Sequence, residues 1–162
     1  MNKDPKGRRI VEQTVGPLFS DSLEEDDYGT GIIYVLRSNS LQPDIKENRK
    51  LLHKIGVTSG SVERRIANAK NDPTFLMAEV EIVASYQLYN IKSSKLEGLI
   101  HRFFDSARLD ISITDRFGKP VSPREWFLVP LFVIEQFVEK LQEGSIQKYT
   151  YDPATASLVE NK

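Results

Sequence analysis

One stretch, residues 54–66, limits what this chain can fold into more than any other. It reads Lys54-Ile55-Gly56-Val57-Thr58-Ser59-Gly60-Ser61-Val62-Glu63-Arg64-Arg65-Ile66. Ile55 and Val57 carry strand character, and Gly56 and Gly60 permit a sharp path or a close approach. Ser61 is placed as an N-cap, with Glu63 in the first turn, where the helix dipole favours a negative charge. Val62, Ile66 and Ala69 recur at helical spacing, so the pattern predicts a strand, a tight turn and a helix carrying two arginines. Asn71-Asp72-Pro73 is the expected end of that helix, because proline disfavours helical backbone before it.

The rest of the chain is ordered around this unit. Gly31 to Arg37 reads as a strand, with Ile32, Tyr34 and Leu36 on one face and Ile33 and Val35 on the other. Residues 38–50 are polar and read as a loop, and Leu51 to Val57 as the second strand. A longer strand follows, with Val80, Ile82, Ala84, Tyr86 and Leu88 expected on one side. Ser93 or Ser94 starts a helix whose apolar arc is Leu96, Leu99, Ile100, Phe103 and Ala107. Leu109 to Thr114 and Trp126 to Val129 read as strands around a turn at Arg116-Phe117-Gly118-Lys119. Pro130 sits at a helix start, Leu131, Ile134, Val138 and Leu141 form the stripe, and Gly144 closes it. Residues 1–28, basic first and acidic later, read as a flexible charged leader able to dock a larger protein or partner. Residues 145–162 read as a C-terminal extension.

Composition narrows the class. The chain of 162 residues is long enough for one domain with a sizeable core, and 40% hydrophobic with 28% charged residues is ordinary for a globular protein. Its net charge of −1 gives no global pull toward nucleic acid, though a local basic face remains open. Without cysteine there is neither a disulfide nor a thiolate metal site, and two histidines, His53 and His101, make a histidine cage improbable. The absence of a long apolar run and of a signal pattern leads to the expectation of a cytoplasmic protein without membrane contact.

Four motifs occur in order: Gly31-Ile32-Ile33-Tyr34-Val35-Leu36, Lys54-Ile55-Gly56, Leu96-Glu97-Gly98-Leu99-Ile100-His101, and Arg124-Glu125-Trp126-Phe127. In this order they resemble the GIY-YIG nuclease superfamily, over roughly residues 29–141. The likeness is greatest to the branch named for a phage T5 reading frame and for a meiotically up-regulated yeast gene. The resemblance implies an α/β fold, a small, mostly antiparallel three-stranded sheet flanked by helices, with an extra C-terminal strand and helix. It places the nuclease domain at residues 29–144. It implies a divalent-metal-dependent DNA endonuclease acting on double-stranded DNA, with one Mg²⁺ (or Mn²⁺) site at Glu97. The alternatives are a DNA-binding module of the same fold that does not cut, or a protein-interaction domain.

The resemblance also suggests roles. Tyr34 would be the general base, but a free tyrosine has a pKa of about 10 and needs a nearby cation. Lys54, standing where the superfamily's name has its second tyrosine, is expected to lower that pKa or to contact phosphate. The family's helical arginine fits Arg65 by context and Arg64 by strict spacing; a guanidinium there would hold the scissile phosphate. Glu97 and His101, four apart, share a helix face. His101 could orient a water, touch phosphate, or only satisfy core hydrogen bonds. His53 is expected to be structural or exposed. Arg37, Arg64 and Lys70 are the candidate nucleic-acid contacts. Trp126 is expected in the core. No asparagine stands in the fourth motif, where the wider superfamily often places one beside the metal.

Overall fold

The computed structural model describes residues 13–14, 30–89 and 91–161. The fold is α/β, around one twisted sheet. In chain order the elements are β1 (Gln13–Thr14), β2 (Thr30–Ser38), α1 (Pro43–Lys46), β3 (Leu52–Thr58), α2 (Val62–Arg65), β4 (Val80–Tyr89), α3 (Ser93–Phe103), β5 (Ile113–Thr114), β6 (Pro120–Val121), β7 (Trp126–Leu128), α4 (Leu131–Glu143), β8 (Tyr149–Asp152) and β9 (Ser157–Glu160). The sheet order is β1-β4-β2-β3-β7, antiparallel except where β1 joins β4 in parallel at Leu88 and Tyr89. The expected antiparallel core of three strands is therefore present, and the extra C-terminal strand and helix are β7 and α4. Apart from Gln13–Thr14, the leader reading of residues 1–28 falls outside the described residues.

The two faces of β2 sort as its alternation requires. Ile33 and Val35 join a large core with Ile55, Leu96, Ile100, Phe104, Phe127, Phe137 and Leu141. Tyr34 and Leu36 join a smaller cluster with Val62, Ala69 and Phe75, against which Ile32 and Ile82 pack. The expected single stripe along β4 is split between these faces. Val35 pairs with Ala84 but Leu36 pairs with Ile82, so Val83 is an extra residue in the ladder. Such a bulge inverts the phase of alternation. Val80 and Ile82 therefore face the smaller cluster, and Ala84, Tyr86 and Leu88 face the larger one.

Other expectations are corrected locally. The helix expected from Ser61 to Asn71 is one turn, α2, followed by 3₁₀ turns at Ala69–Asn71 and Pro73–Phe75. So short a helix adds little favourable energy, and Asn68 and Asn71 bond to each other's side chains at 2.9 Å instead of continuing it. The strand expected over Leu109–Thr114 is confined to Ile113–Thr114. Within the polar loop of residues 38–50, α1 buries Ile45 against Leu52, Leu76, Ile113 and Trp126. The C-terminal extension contains the β8–β9 hairpin, and Ile146 and Tyr151 are members of the large core.

α3 is held by aromatic contacts. Phe104, just past its end, lies 5.2 Å from Phe137 of α4, 5.5 Å from Tyr151 of β8 and 6.2 Å from Phe127 of β7. Contacts of this kind contribute about 0.5–1.5 kcal/mol each beyond area burial. They fix α3 against β7, which sets Glu97 and His101 relative to Glu125, the residue before β7.

Candidate functional site

Antiparallel register builds the site floor. Tyr34 lies opposite Gly56 and Leu36 opposite Lys54, so Tyr34 and Lys54 share a sheet face. The Tyr34 ring lies across Gly56 so closely that a Cβ there would overlap its Cζ and hydroxyl. This close approach is what glycine supplies at this point of β3. Tyr34 is fully buried.

α2 brings a cation to it. Ser61 caps the helix by accepting the Arg64 N–H at 3.2 Å. Both arginines are exposed, and it is Arg65 whose Nε donates to the Tyr34 hydroxyl, at 3.4 Å. Arg65 is therefore the arginine that faces the tyrosine. Burial pushes the Tyr34 pKa above its usual value, and the Arg65 hydrogen bond only partly offsets this. The same bond strengthens the Arg65 cation.

Lys54 is bonded to Glu125 rather than to the Tyr34 hydroxyl. Its Nζ donates to Glu125 Oε1 at 2.7 Å and to the Thr74 carbonyl at 3.4 Å, and it sits 4.7 Å over the Phe75 ring. Trp126 Nε1 donates to that same carbonyl at 3.0 Å, so the only tryptophan is a buried core residue as expected. Burial pushes the Glu125 carboxyl up, but Lys54, His101 and Arg65 outweigh it and hold it below the usual range. Glu125 is thus ionised at neutral pH.

α3 completes the arrangement. Leu96 and Ile100 point into the large core. Glu97 and His101, one step round the helix, face Glu125. His101 Nε2 lies 4.0 Å from Glu125 Oε2. One ligand atom from each of Glu97, His101 and Glu125 can be chosen so that all lie within 4.8 Å of one another. His101 Nε2 is buried and has no hydrogen-bond partner. Burial lowers the His101 pKa against the pull of Glu125 and Glu97, so the ring is neutral and able to ligate at neutral pH. Two carboxylates and an imidazole form a donor set that fits a divalent cation, and the imidazole suits Mn²⁺ better than Mg²⁺. Lys54 occupies only Oε1 of Glu125, which leaves Oε2 for this cluster.

The structure thus brings together Tyr34, Lys54, Arg65, Glu97 and His101, which are far apart in sequence. Glu125, part of the fourth motif, joins them although the motif pattern assigns it no role. Its signal is a carboxylate in the fourth motif, at the place where the wider superfamily often has an asparagine. A cleft opens beside it, lined by Lys54, Arg65, Thr74, Phe75, Arg124 and Glu125. Arg37 is not part of it. By strand alternation it faces away from Tyr34, and it donates to His53 Nε2 at 3.2 Å. His53 Nδ1 is 2.8 Å from the Val129 carbonyl. A carbonyl only accepts, so Nδ1 carries the proton and the ring is neutral, as its lowered pKa from burial requires. His53 is structural. Lys70 lines a separate depression with Ile66, Ala67 and Glu79.

Among the described residues, no helix is long and apolar enough to cross a membrane. The family model for the T5orf172 domain matches residues 31–142. The chain is 44% identical over 135 residues to the protein "Uncharacterized protein YeeC" of Bacillus subtilis (strain 168). That alignment covers 83% of this chain and 35% of the relative, so the chain spans about a third of the relative's length. No solved structure matches. The matched domain suggests a nuclease-like or DNA-binding role. From a match that takes in all four motifs and every residue of the cleft, the chain belongs to the T5orf172 domain family.

Proposed function

We propose that the chain is a divalent-metal-dependent endonuclease that hydrolyses phosphodiesters of double-stranded DNA through a GIY-YIG-like site. The observation that carries this reading is the meeting of Glu97, His101 and Glu125 within 4.8 Å, beside the Tyr34–Arg65 hydrogen bond. Glu97, Glu125 and His101 would hold the cation. When bound, it would offset charge on the phosphate and on the leaving oxygen.

The remaining work falls to the chain's own groups. Arg65 would turn its guanidinium from the Tyr34 hydroxyl onto two non-bridging phosphate oxygens. This uncovers Tyr34, which is otherwise fully buried. Tyr34, as phenolate, takes a proton from water as the water oxygen bonds to phosphorus and the bond to the leaving oxygen breaks. Lys54 holds Glu125 in place from the side away from His101.

A second reading, DNA binding without cleavage, draws on two observations: burial raises the Tyr34 pKa, and Lys54 is paired with Glu125 rather than with the tyrosine. One experiment separates them. Supercoiled plasmid is incubated with the protein, with and without Mg²⁺ or Mn²⁺, beside Glu97→Gln, and Mn²⁺ binding is followed by calorimetry. The endonuclease reading expects metal-dependent nicking by the wild type. It expects Glu97→Gln to lose both nicking and Mn²⁺ binding while retaining DNA affinity. Wild-type binding of DNA with no nicking in either metal would establish the second reading.

A further inference from the structure

The β5–β6 hairpin lies outside the cluster described above, and its chemistry points to the same substrate. Its root is anchored: Ile113 pairs with Val121, and Ile113 is buried with Trp126 and Ile45. Its tip, residues 115–119, is prebuilt. The Asp115 carboxylate accepts the Phe117 and Lys119 N–H groups at 2.8 Å each, and the Asp115 N–H donates to the Lys119 carbonyl at 2.8 Å. Gly118 takes φ +83°, which the turn requires. On this turn Phe117 is 77% exposed, with the Arg116 guanidinium 5.0 Å from its ring.

Single exposed hydrophobic residues are ordinary on protein surfaces. Phe117 differs from the others found here, Leu41, Phe132 and Val159, in its setting. None of those has a cation within two positions, whereas Phe117 has Arg116 and Lys119. From residue 115 to 124 the chain carries three exposed cations, Arg116, Lys119 and Arg124, against one carboxylate, which the turn consumes. That is a basic segment on a chain whose net charge is −1. It also runs directly into the cleft: Ser122, Pro123 and Arg124 form part of the cleft wall, ending at Glu125. Glu125 lies six positions after Lys119, a span of at most about 20 Å when extended. At about 3.4 Å per base pair, that keeps the tip within about six base pairs of a phosphate held in the cleft.

We propose that the Arg116–Lys119 tip is a second DNA contact, in which Arg116 and Lys119 hold phosphates of the flanking duplex and Phe117 packs against an exposed base step. A rigid aromatic between cations, on a turn that needs no ordering on binding, matches what a duplex groove presents: an apolar base step between rows of phosphate. The proposal rests on the reading of the cleft as a DNA site. It assigns the hairpin to grip and position and leaves proton transfer to Tyr34.

The test uses the whole protein and a mixed-sequence DNA duplex with an internal fluorophore, read by anisotropy over a salt series in Ca²⁺ to prevent cutting. Phe117→Ala should weaken duplex binding roughly tenfold, in the range that aromatic contacts with bases carry. Arg116→Gln with Lys119→Gln should reduce the slope of log K against log salt by about two. Melting temperatures should stay at the wild-type value, because the tip buries nothing. Unchanged affinity and slope in both variants, with wild-type DNA binding intact, would overturn the hairpin contact and leave the cleft reading standing. A wild-type protein that binds no duplex overturns both. Tighter binding to the separated single strand, with the same loss in Phe117→Ala, would overturn the duplex assignment in favour of single-strand stacking.

Discussion

Gly56→Ala sets two effects of opposite sign against each other. Gly56 sits in ordinary strand geometry, so alanine there restricts the unfolded chain and should stabilise the protein by about 0.4–1 kcal/mol if it fits. It does not fit. The new Cβ would overlap the Tyr34 Cζ and hydroxyl and lie 2.8 Å from its Cε1. The ring cannot swing freely, because Tyr34 is fully buried among Leu36, Val62, Ala69 and Phe75. Overpacking of this kind costs about 1–3 kcal/mol, which outweighs the entropy gain. For a chain of this size each kcal/mol is worth about 2–4 °C, so the melting temperature should fall by several degrees. Displacing the ring also moves the Tyr34 hydroxyl from its position, so plasmid nicking should fall by at least the factor of about 100 that a misplaced base loses. The assay is thermal unfolding by circular dichroism beside the nicking assay, with Tyr34→Ala/Gly56→Ala as the relief variant. In the background of Tyr34→Ala, Gly56→Ala should cost nothing or stabilise. A single Gly56→Ala variant as stable and as active as the wild type would refute the reasoning, because the close approach would then not constrain the site.

The other predictions concern charge. Lys54→Met should destabilise the protein by about 2 kcal/mol, below the range for fully buried pairs because Glu125 is 20% exposed, and Lys54→Met/Glu125→Gln should recover part of the loss; denaturant titration decides, and additive losses would contradict the pairing. His53 and His101 both have pKa values lowered by burial, so the unfolded chain takes up protons first as pH falls below about 6.5. Stability is thus complete above that pH and declines on acidification, with Glu125 adding its loss only below its ordinary range of about 4.3. His53→Gln should flatten the decline between pH 7 and 5, and an unchanged slope would argue against a neutral buried His53. For catalysis the sign is the reverse: a raised Tyr34 pKa leaves little phenolate at neutral pH, so the nicking rate should climb about tenfold per pH unit from 7 to 9. A rate flat over that range would remove Tyr34 as the base, and Tyr34→Phe should abolish nicking while leaving Mn²⁺ binding intact.

Much of this protein was determined locally and could be read without tertiary structure. The alternation of β2 sorted Ile33 and Val35 from Tyr34 and Leu36, and the observed clusters follow it. Pro130 and Gly144 bounded α4, with Gly144 at φ 78°. Ser61 capped α2, and the spacing of Glu97 and His101 put them on one helix face. Each of these depends on contacts within a few residues, where period and backbone preference suffice. What tertiary structure decided depends on distant partners. The bulge at Val83 exists only because β4 pairs with β2, so no single-strand pattern announces the change of face. Arg65 was chosen over Arg64 by where one turn of α2 points it, toward a tyrosine thirty-one residues earlier. Lys54 was drawn from Tyr34 to Glu125, seventy-one residues later, because β3 and β7 are neighbours in the sheet. Glu125 joined Glu97 and His101 because an aromatic core packs α3 against β7. A charge's partner is set by distance in space, and sequence spacing reports that distance only within a single element.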